Sequence, residues 1–292
     1  MSHEIQWIKG YRAIIGEAPL WSSSEQALYW IDTVGKKILR YFPKQNLMQM
    51  HDLPRRPSAL CLAQGGRLLV AFKQGLAFYD FELNQLEWFE HLGIDFSQAL
   101  FNDGACDAMG RLWIGTMDRQ LTNPIGQLYC IQADSPAQSM QVGFTVSNGI
   151  CWSPDGLTMY QVDSRPGLIY SYAFDCALGL VSNPRLFLDY RGRGCRPDGC
   201  TTDSLGNLWV AELEGGCVSA YDEWGTKIKT VNLPVKKPTS VCFGGEDLSM
   251  LFVTSMSYGQ SSVEGSDTNE FAGQLMVLDV GVCGKTKPIF TL

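Results

Sequence analysis

The sequence predicts an all-β fold, a six-bladed β-propeller, because one β-rich unit repeats along the chain without sustained helical periodicity. The unit is a turn signal, a short strand, a second turn and an apolar strand. Its six copies span residues 17–31, 58–70, 103–114, 148–161, 198–210 and 239–253. The copies recur about every 45 residues, which is the length of a propeller blade rather than of a helical repeat.

Further strands complete the predicted blades. A third strand, rich in aromatic and aliphatic residues, follows each apolar strand, and four strands per blade fit the period. The segment 5–8 precedes the first copy, and we expect it to pair with the last blade and close the ring. Closure predicts a single domain over residues 1–292. The polar residues 257–273 are expected to form a surface loop in the last blade.

Composition narrows the class of protein. The net charge of −7 argues against a nucleic-acid partner. No signal peptide or membrane span is recognisable, so we expect a cytoplasmic protein without a membrane partner, and its oligomeric state stays open. The chain has 10 cysteines but no Cys-x-x-Cys motif. Four of them occupy one equivalent position, which favours small core residues over disulfides: Cys61, Cys106, Cys151 and Cys242.

Aligning the copies places one residue of each at the start of its innermost strand. The six residues are Glu17, Ser58, Asp103, Asn148, Asp198 and Thr239. In a propeller these positions converge on one end of the central channel, where three carboxylates and a carboxamide would suit Ca²⁺, Mg²⁺ or Mn²⁺. The alternative is that Asp103-Gly104, Asn148-Gly149 and Asp198-Gly199 are only turn dipeptides, and Asn102 is as readily a turn cap as a ligand-binding residue.

Other kinds of active site are disfavoured. The three histidines, His3, His51 and His91, lie outside the aligned set, which argues against a Ser-His-Asp triad or a His-rich zinc site. There is no phosphate-binding loop motif. What remains is a metal that polarises a carbonyl or phosphoryl oxygen while a carboxylate activates water. The basic stretch 191–196 could contact an anionic substrate group, although a solvated loop is favoured.

Motifs along nearly the whole chain resemble one family. They are Gly16-Glu17-Ala18-Pro19-Leu20-Trp21, Phe101-Asn102-Asp103-Gly104, Gly110-Arg111-Leu112-Trp113-Ile114-Gly115-Thr116-Met117, Ser147-Asn148-Gly149, Ser153-Pro154-Asp155-Gly156, Pro197-Asp198-Gly199, Leu208-Trp209-Val210-Ala211 and Cys242-Phe243-Gly244-Gly245. In this combination they resemble the regucalcin (senescence marker protein)/gluconolactonase/luciferin-regenerating enzyme family.

The resemblance implies a six-bladed propeller that hydrolyses sugar-derived γ- or δ-lactones to aldonic acids. It implies one divalent cation (Ca, Zn, Mg or Mn) bound by Glu17, Asn148 and Asp198. It also implies substrate contacts from Asn102 and Asp103, and a general-base role for Asp198.

Two positions depart from the family pattern. Regucalcin-like members have an arginine where this chain has Leu100, and an acidic residue after Gly-Thr-Met is replaced in the region Asp118-Arg119-Gln120. Loss of an arginine removes a fixed fork of hydrogen-bond donors, so the metal site should persist while sugar specificity changes.

Three functions follow from these observations. The first is a metal-dependent lactonase acting on a small-molecule substrate, either a sugar lactone or a less polar lactone. The second is hydrolysis of a phosphoester or phosphotriester at the same metal. The third is a propeller without enzymatic activity that binds a cation or a protein partner.

Overall fold

Six small β-sheets surround a central channel in the computed structural model, which describes residues 5–89, 92–133, 135–259 and 270–291. Blade 1 comprises β2 (Gly16–Ser22), β3 (Ala27–Asp32), β4 (Lys37–Phe42) and β5 (Leu47–Asp52). Blade 2 comprises β6 (Pro57–Ala63), β7 (Leu68–Phe72), β8 (Gly75–Asp80) and β9 (Gln85–Trp88). Blade 3 comprises β10 (Ala99–Cys106), β11 (Leu112–Asp118), β12 (Gly126–Ile131) and β13 (Gln138–Phe144).

The second half of the ring repeats this plan. Blade 4 comprises β14 (Ser147–Trp152), β15 (Thr158–Asp163), β16 (Leu168–Asp175) and β17 (Leu180–Asp189). Blade 5 comprises β18 (Arg196–Thr202), β19 (Leu208–Leu213), β20 (Cys217–Tyr221) and β21 (Lys227–Asn232). Blade 6 comprises β22 (Pro238–Gly244), β23 (Met250–Ser255), β24 (Leu275–Asp279) and β1 (Ile5–Ile8). Short 3₁₀ helices cover Pro43–Gln45 and Gln64–Gly66.

The first strand of each blade faces the channel. These innermost strands, β2, β6, β10, β14, β18 and β22, contact one another around the ring. Within each blade the other strands follow outward as an antiparallel meander. The predicted six-bladed propeller is therefore confirmed.

The ring closes as the sequence predicted. Strand β1 pairs antiparallel with β24, in the register Ile5 with Leu278 to Ile8 with Leu275. The last blade thus contains strands from both ends of the chain. A second closure was not predicted: β25 (Ile289–Phe290) adds in parallel to the innermost strand β6.

The hydrophobic core lies mainly between neighbouring blades. Trp209 of blade 5 meets Phe243 of blade 6 edge-on, with ring centroids 6.0 Å apart, and both side chains are buried. Strand β3 is buried along its whole length, whereas β9 alternates between exposed and half-buried residues. This gradient follows from the layout, because inner strands pack on both faces and outer strands meet solvent.

Some of the local predictions from the sequence are confirmed and others are wrong. The turn signal assigned to the start of each copy is wrong, because Pro197-Asp198-Gly199 lies inside β18. The four equivalent cysteines are buried on the innermost strands, and all ten thiols are free. Residues 260–269 of the predicted loop 257–273 lie outside the described residues.

No helix within the described ranges combines the length and the apolar character that a membrane crossing needs.

Candidate functional site

A β-bulge occurs near the start of every innermost strand. In each blade the pairing of first and second strand shifts by one residue, between Glu17 and Leu20, Pro57 and Ala59, Phe101 and Gly104, Asn148 and Ile150, Pro197 and Cys200, and Pro238 and Ser240. An unpaired residue in a bulge bends the strand and re-aims its side chain. The six aligned positions lie at these bulges, at one end of the channel, which we call the site end.

The six aligned residues divide into two groups. Ser58 and Thr239 are buried and bond to backbone: Ser58 Oγ donates to Ala71 O at 3.2 Å, and Thr239 Oγ1 donates to Gly16 O at 2.5 Å. The Ser58 hydroxyl bonds within blade 2, whereas the Thr239 hydroxyl links blade 6 to blade 1. The oxygen-rich group is Glu17, Asp103, Asn148 and Asp198.

Asn148 and Asp198 form a buried pair between blades 4 and 5. Asn148 Nδ2 donates to Asp198 Oδ1 and, at 3.1 Å, to Ser164 Oγ. Ser164 Oγ in turn donates to Pro197 O at 2.6 Å. Both hydrogens of the amide are therefore directed away from its oxygen, and no described donor bonds to Asn148 Oδ1.

Within the part of the chain that the structure describes, Glu17 and Asp103 make only local hydrogen bonds. Glu17 Oε2 accepts the N–H of Ala18 at 3.3 Å, and Asp103 Oδ1 accepts the N–H of Gly104 at 2.7 Å. Burial, followed by the charge of Asp103, raises the pKa of Glu17 to about 8. Burial also raises the pKa of Asp103 to about 6.

The pKa of Asp198 lies well above the ordinary aspartate value. Burial is the largest cause, and the charges of Glu17 and then Asp103 add to it. The three carboxyl groups therefore lie close enough together for the negative charge of one to disfavour the ionisation of another. A cation among them would stabilise the ionised forms.

Asn102 has a fixed orientation. Its Nδ2 donates to Ser147 O at 2.9 Å, and its Oδ1 accepts from Lys73 Nζ at 3.0 Å. A carbonyl can only accept and an ammonium can only donate, so these two partners set which end of the amide points where. Asn102 therefore does more than cap a turn.

Sequence reasoning missed Lys73. It follows β7, and the end of a second strand lies at the same end of the blade as the start of the first. Burial lowers the pKa of Lys73 to about 8, while the charges of Glu17 and Asp103 act in the opposite direction. The only sequence signal was a charged residue directly after an apolar strand in an aligned copy.

A cavity of about 340 Å³ occupies the channel beyond the site. Its walls include Leu60, Cys61, Ile150 and Cys151, and the segment 285–288 lines it as well. Of the oxygen-rich group only Asp103 borders it. Most of the oxygen-rich group therefore lies at the site end rather than in the wall of this mostly apolar cavity.

The donor set fits a divalent cation in chemistry. Carboxylate and amide oxygens are hard ligands, and the pKa values of Glu17 and Asp198 are raised because burial outweighs the nearby positive charges. In the described ranges, however, no three His, Cys, Asp or Glu side chains group closely enough to hold an ion by themselves. A cation would need the amide of Asn148 and water.

The two positions that depart from the family pattern take part in strand pairing and in the structure of a loop. Leu100 pairs with Met117 in the β10–β11 ladder, and the cation beside Asn102 is Lys73. The N–H groups of Asn123 and then Thr122 hold the pKa of Asp118 below its usual range. Asp118 therefore organises a loop.

Of the remaining sequence candidates, only Arg196 of the basic stretch acts on the oxygen-rich group among the described residues, because it lies in β18 and its charge lowers the pKa of Asp198. In the basic stretch, Arg191 Nη2 pairs with Asp189 Oδ2 at 2.5 Å, and Arg193 lies 4.5 Å over the Tyr190 ring. His51 Nδ1 lies 2.6 Å from the Tyr79 hydroxyl in a packed aromatic cluster. His3 and His91 lie outside the described residues.

The fold and the site together define a six-bladed propeller with oxygen donors gathered at one end of its channel. Sequence comparison then identifies the family: the chain belongs to the SMP-30/gluconolactonase/LRE-like family, whose model matches residues 15–257.

Individual relatives agree over almost the full length. The chain is 32% identical to a 6-deoxy-6-sulfogluconolactonase of Pseudomonas putida over 291 residues, covering 99% of both chains. It is 32% identical to a pentonolactonase of Haloferax volcanii over 277 residues, covering 93% of this chain and 92% of the relative. The crystal structure of a calcium-binding regucalcin from Agrobacterium tumefaciens superposes with a TM-score of 0.93 at 27% identity, covering 100% and 98% of the two chains.

Proposed function

We propose that this protein is a divalent-cation-dependent lactonase that opens a sugar-derived γ- or δ-lactone to the aldonic acid. The observation that carries the proposal is the buried Asn148–Asp198 pair at the site end. Glu17 lies close enough to this pair for its charge to raise the pKa of Asp198. The two relatives named as sugar lactonases support the reaction class.

Glu17, Asn148 and Asp198 would hold the cation, and Asn148 would contribute its oxygen Oδ1. When bound, the cation polarises the lactone carbonyl and lowers the cost of the negative charge that develops on its oxygen. The calcium-binding regucalcin structure makes Ca²⁺ the first ion to test, followed by Zn²⁺, Mg²⁺ and Mn²⁺.

Asp198 is the general base in this proposal. Asn148 holds its Oδ1, which leaves Oδ2 to take a proton from water as the water oxygen attacks the carbonyl carbon. When the ring carbon–oxygen bond breaks, the same carboxyl returns the proton to the leaving ring oxygen. Asn102 and Asp103 would orient the hydroxyl groups of the sugar.

The test is pH-stat hydrolysis of a lactone panel by the parent protein and Asp198→Asn, with each divalent cation and with chelator. We expect chelator to abolish turnover and Asp198→Asn to lower kcat/KM by about 100-fold or more. Asp80→Asn makes the same chemical change at a residue whose Oδ1 accepts the N–H of Leu83 in an exposed turn, and should leave the rate unchanged.

Full activity of folded Asp198→Asn, or hydrolysis that ignores chelator, would contradict this mechanism. If no lactone is hydrolysed under any condition, a phosphoester or phosphotriester panel becomes the next measurement. Tight cation binding without turnover of either panel would indicate a binding protein.

A further inference from the structure

Lys73 is held by three hydrogen bonds at the boundary between blades 2 and 3. Its N–H donates to Arg56 O at 3.0 Å, and its carbonyl accepts the N–H of Phe101 at 3.1 Å. Its Nζ donates to Asn102 Oδ1 at 3.0 Å. The backbone on both sides and the side chain are thus fixed, which places the ammonium beside Asn102 rather than in bulk water.

The Lys73 ammonium retains donor capacity. An ammonium carries three N–H donors, and one of them is used by Asn102. No other described group accepts a hydrogen bond from Nζ. Two donors at the site end are therefore available for a ligand.

Arg56 carries a second positive charge on the segment that bonds to Lys73, since its backbone carbonyl accepts the N–H of Lys73 at 3.0 Å. It directly precedes β6, is exposed, and forms no ion pair with any described residue. Its charge repels that of Lys73. Glu17 and Asp103 attract Lys73 more strongly than Arg56 repels it, but no described carboxylate pairs with Arg56, so an anionic substituent that reaches both cations would balance the second charge.

We infer that Lys73 and Arg56 form an anion subsite beside Asn102, and that the lactone substrate carries a negatively charged substituent outside its ring. This inference rests on the proposed lactonase function. A neutral polyol needs only neutral donors, whereas a carboxylate or sulfonate forms charge-assisted hydrogen bonds with an ammonium and a guanidinium. The subsite therefore separates anionic from neutral lactones.

Two other roles for Lys73 predict different behaviour. A lysine that only balances the charges of Glu17, Asp103 and Asp198 would affect all lactones equally. So would a lysine that only stabilises charge developing at the reacting carbonyl. The ratio of kcat/KM for matched anionic and neutral lactones distinguishes the subsite from both.

The experiment measures that ratio with two matched pairs of lactones. D-Glucono-1,4-lactone is compared with D-glucaro-1,4-lactone, which replaces a hydroxymethyl group by a carboxylate. D-Glucono-1,5-lactone is compared with its analogue bearing a sulfonate at carbon 6. The two pairs distinguish carboxylate from sulfonate, and we expect the parent protein to prefer at least one anionic member by about tenfold or more.

Variants then assign the preference to the subsite. Lys73→Met should lower the anionic-to-neutral ratio by about tenfold, and Lys73→Arg, which keeps the charge, should retain most of it. Arg56→Gln should lower it by about threefold, because this guanidinium is exposed. The control Lys44→Gln removes an equal charge from an exposed pair with Glu246 and should not change the ratio.

If the Lys73→Met protein is folded but inactive, its kcat/KM ratio cannot be measured, and binding is measured instead. Calorimetric binding of the same lactones to Asp198→Asn, with and without Lys73→Met, should show the loss only for the anionic member. Equal loss for both members, or no anionic preference in the parent protein, overturns the subsite while lactone hydrolysis stands. Failure to hydrolyse any lactone overturns the lactonase proposal and the subsite together.

Discussion

Glycines next to the site residues are required by close approach rather than by turns. A Cβ on Gly199 would lie 2.1 Å from Ser240 Oγ, and one on Gly149 would lie 2.6 Å from Asp198 O. Neither glycine has a positive φ angle. Asp-Gly and Asn-Gly pairs commonly mark turns, but here they let innermost strands of neighbouring blades converge on the channel.

The buried carboxyl groups predict a pH-dependent stability. The pKa of Glu17 is raised to about 8 and that of Asp103 to about 6 by burial, so their neutral forms are favoured in the folded state. This contribution is complete below the unfolded pKa values, near 4, and is lost as pH rises through 6 to 8. In chelator, Tm should therefore fall between about pH 5 and pH 8.

Calorimetry across this pH range, with and without divalent cation, checks that expectation. A bound cation should raise Tm most at the upper end, where the carboxylates are ionised. Glu17→Gln should flatten the curve in chelator. Because the lowered pKa of Lys73 acts only above about 8, it does not contribute to the decline. A Tm independent of pH in chelator would contradict the prediction.

At the scale of single elements, the β-bulge near the start of each innermost strand positions the residues of the site. Regular alternation would pair each aligned residue with the second strand of its own blade. The one-residue shift leaves residues without a ladder partner at or directly after the aligned positions, namely 18–19 in β2, 102–103 in β10, 149 in β14 and 198–199 in β18. We attribute the convergence of these side chains to this repeated irregularity.

One carboxylate, that of Asp32, accepts hydrogen bonds from the backbone around the end of β3. Asp32 accepts backbone N–H groups from Ile14, Ile15, Val34 and Gly35, at 2.7 to 3.1 Å, and is fully buried. Removing it leaves buried donors unpaired, so Asp32→Ala should lower the free energy of unfolding by roughly 3 kcal/mol.

Urea unfolding of Asp32→Ala against Asp80→Ala provides the measurement. Asp80 Oδ1 accepts one backbone N–H, from Leu83, in an exposed turn, so its loss should cost less than about 1 kcal/mol. Equal effects of the two substitutions would show that the four backbone hydrogen bonds to Asp32 do not stabilise this end of the blade.

At the scale of the whole molecule, the ring depends on pairing between the two ends of the chain. Strand β1 supplies the outer strand of blade 6, and Trp7 stacks on Phe271 with centroids 4.2 Å apart. Deleting residues 1–8 would expose the edge of β24. An uncovered edge strand pairs readily with other molecules.

We therefore expect the truncated protein to unfold at a lower temperature and to associate. Calorimetry and analytical ultracentrifugation of the truncated and full-length chains test this directly. A truncated protein with unchanged Tm and an unchanged sedimentation coefficient would mean that blade 6 is stable without its outer strand.

The repeat determined most of the architecture from sequence. Its six copies, about one blade apart, predicted the propeller, and the short strand at 5–8 predicted the ring closure. The same alignment selected Glu17, Asp103, Asn148 and Asp198, because residues at one register of a repeat lie at one end of a propeller. Extension of a single domain over residues 1–292, and the roles of these residues and Asn102, remain predictions.

Tertiary structure alone decided which of the aligned residues face the channel and which groups join them. Ser58 and Thr239 occupy the same register as the carboxylates, yet their hydroxyl groups bond to backbone. Lys73 comes from a strand end in one blade and reaches Asn102 in the next. Sequence periodicity describes each blade by itself, whereas contacts across blades depend on how the six sheets pack, and no local pattern records that packing.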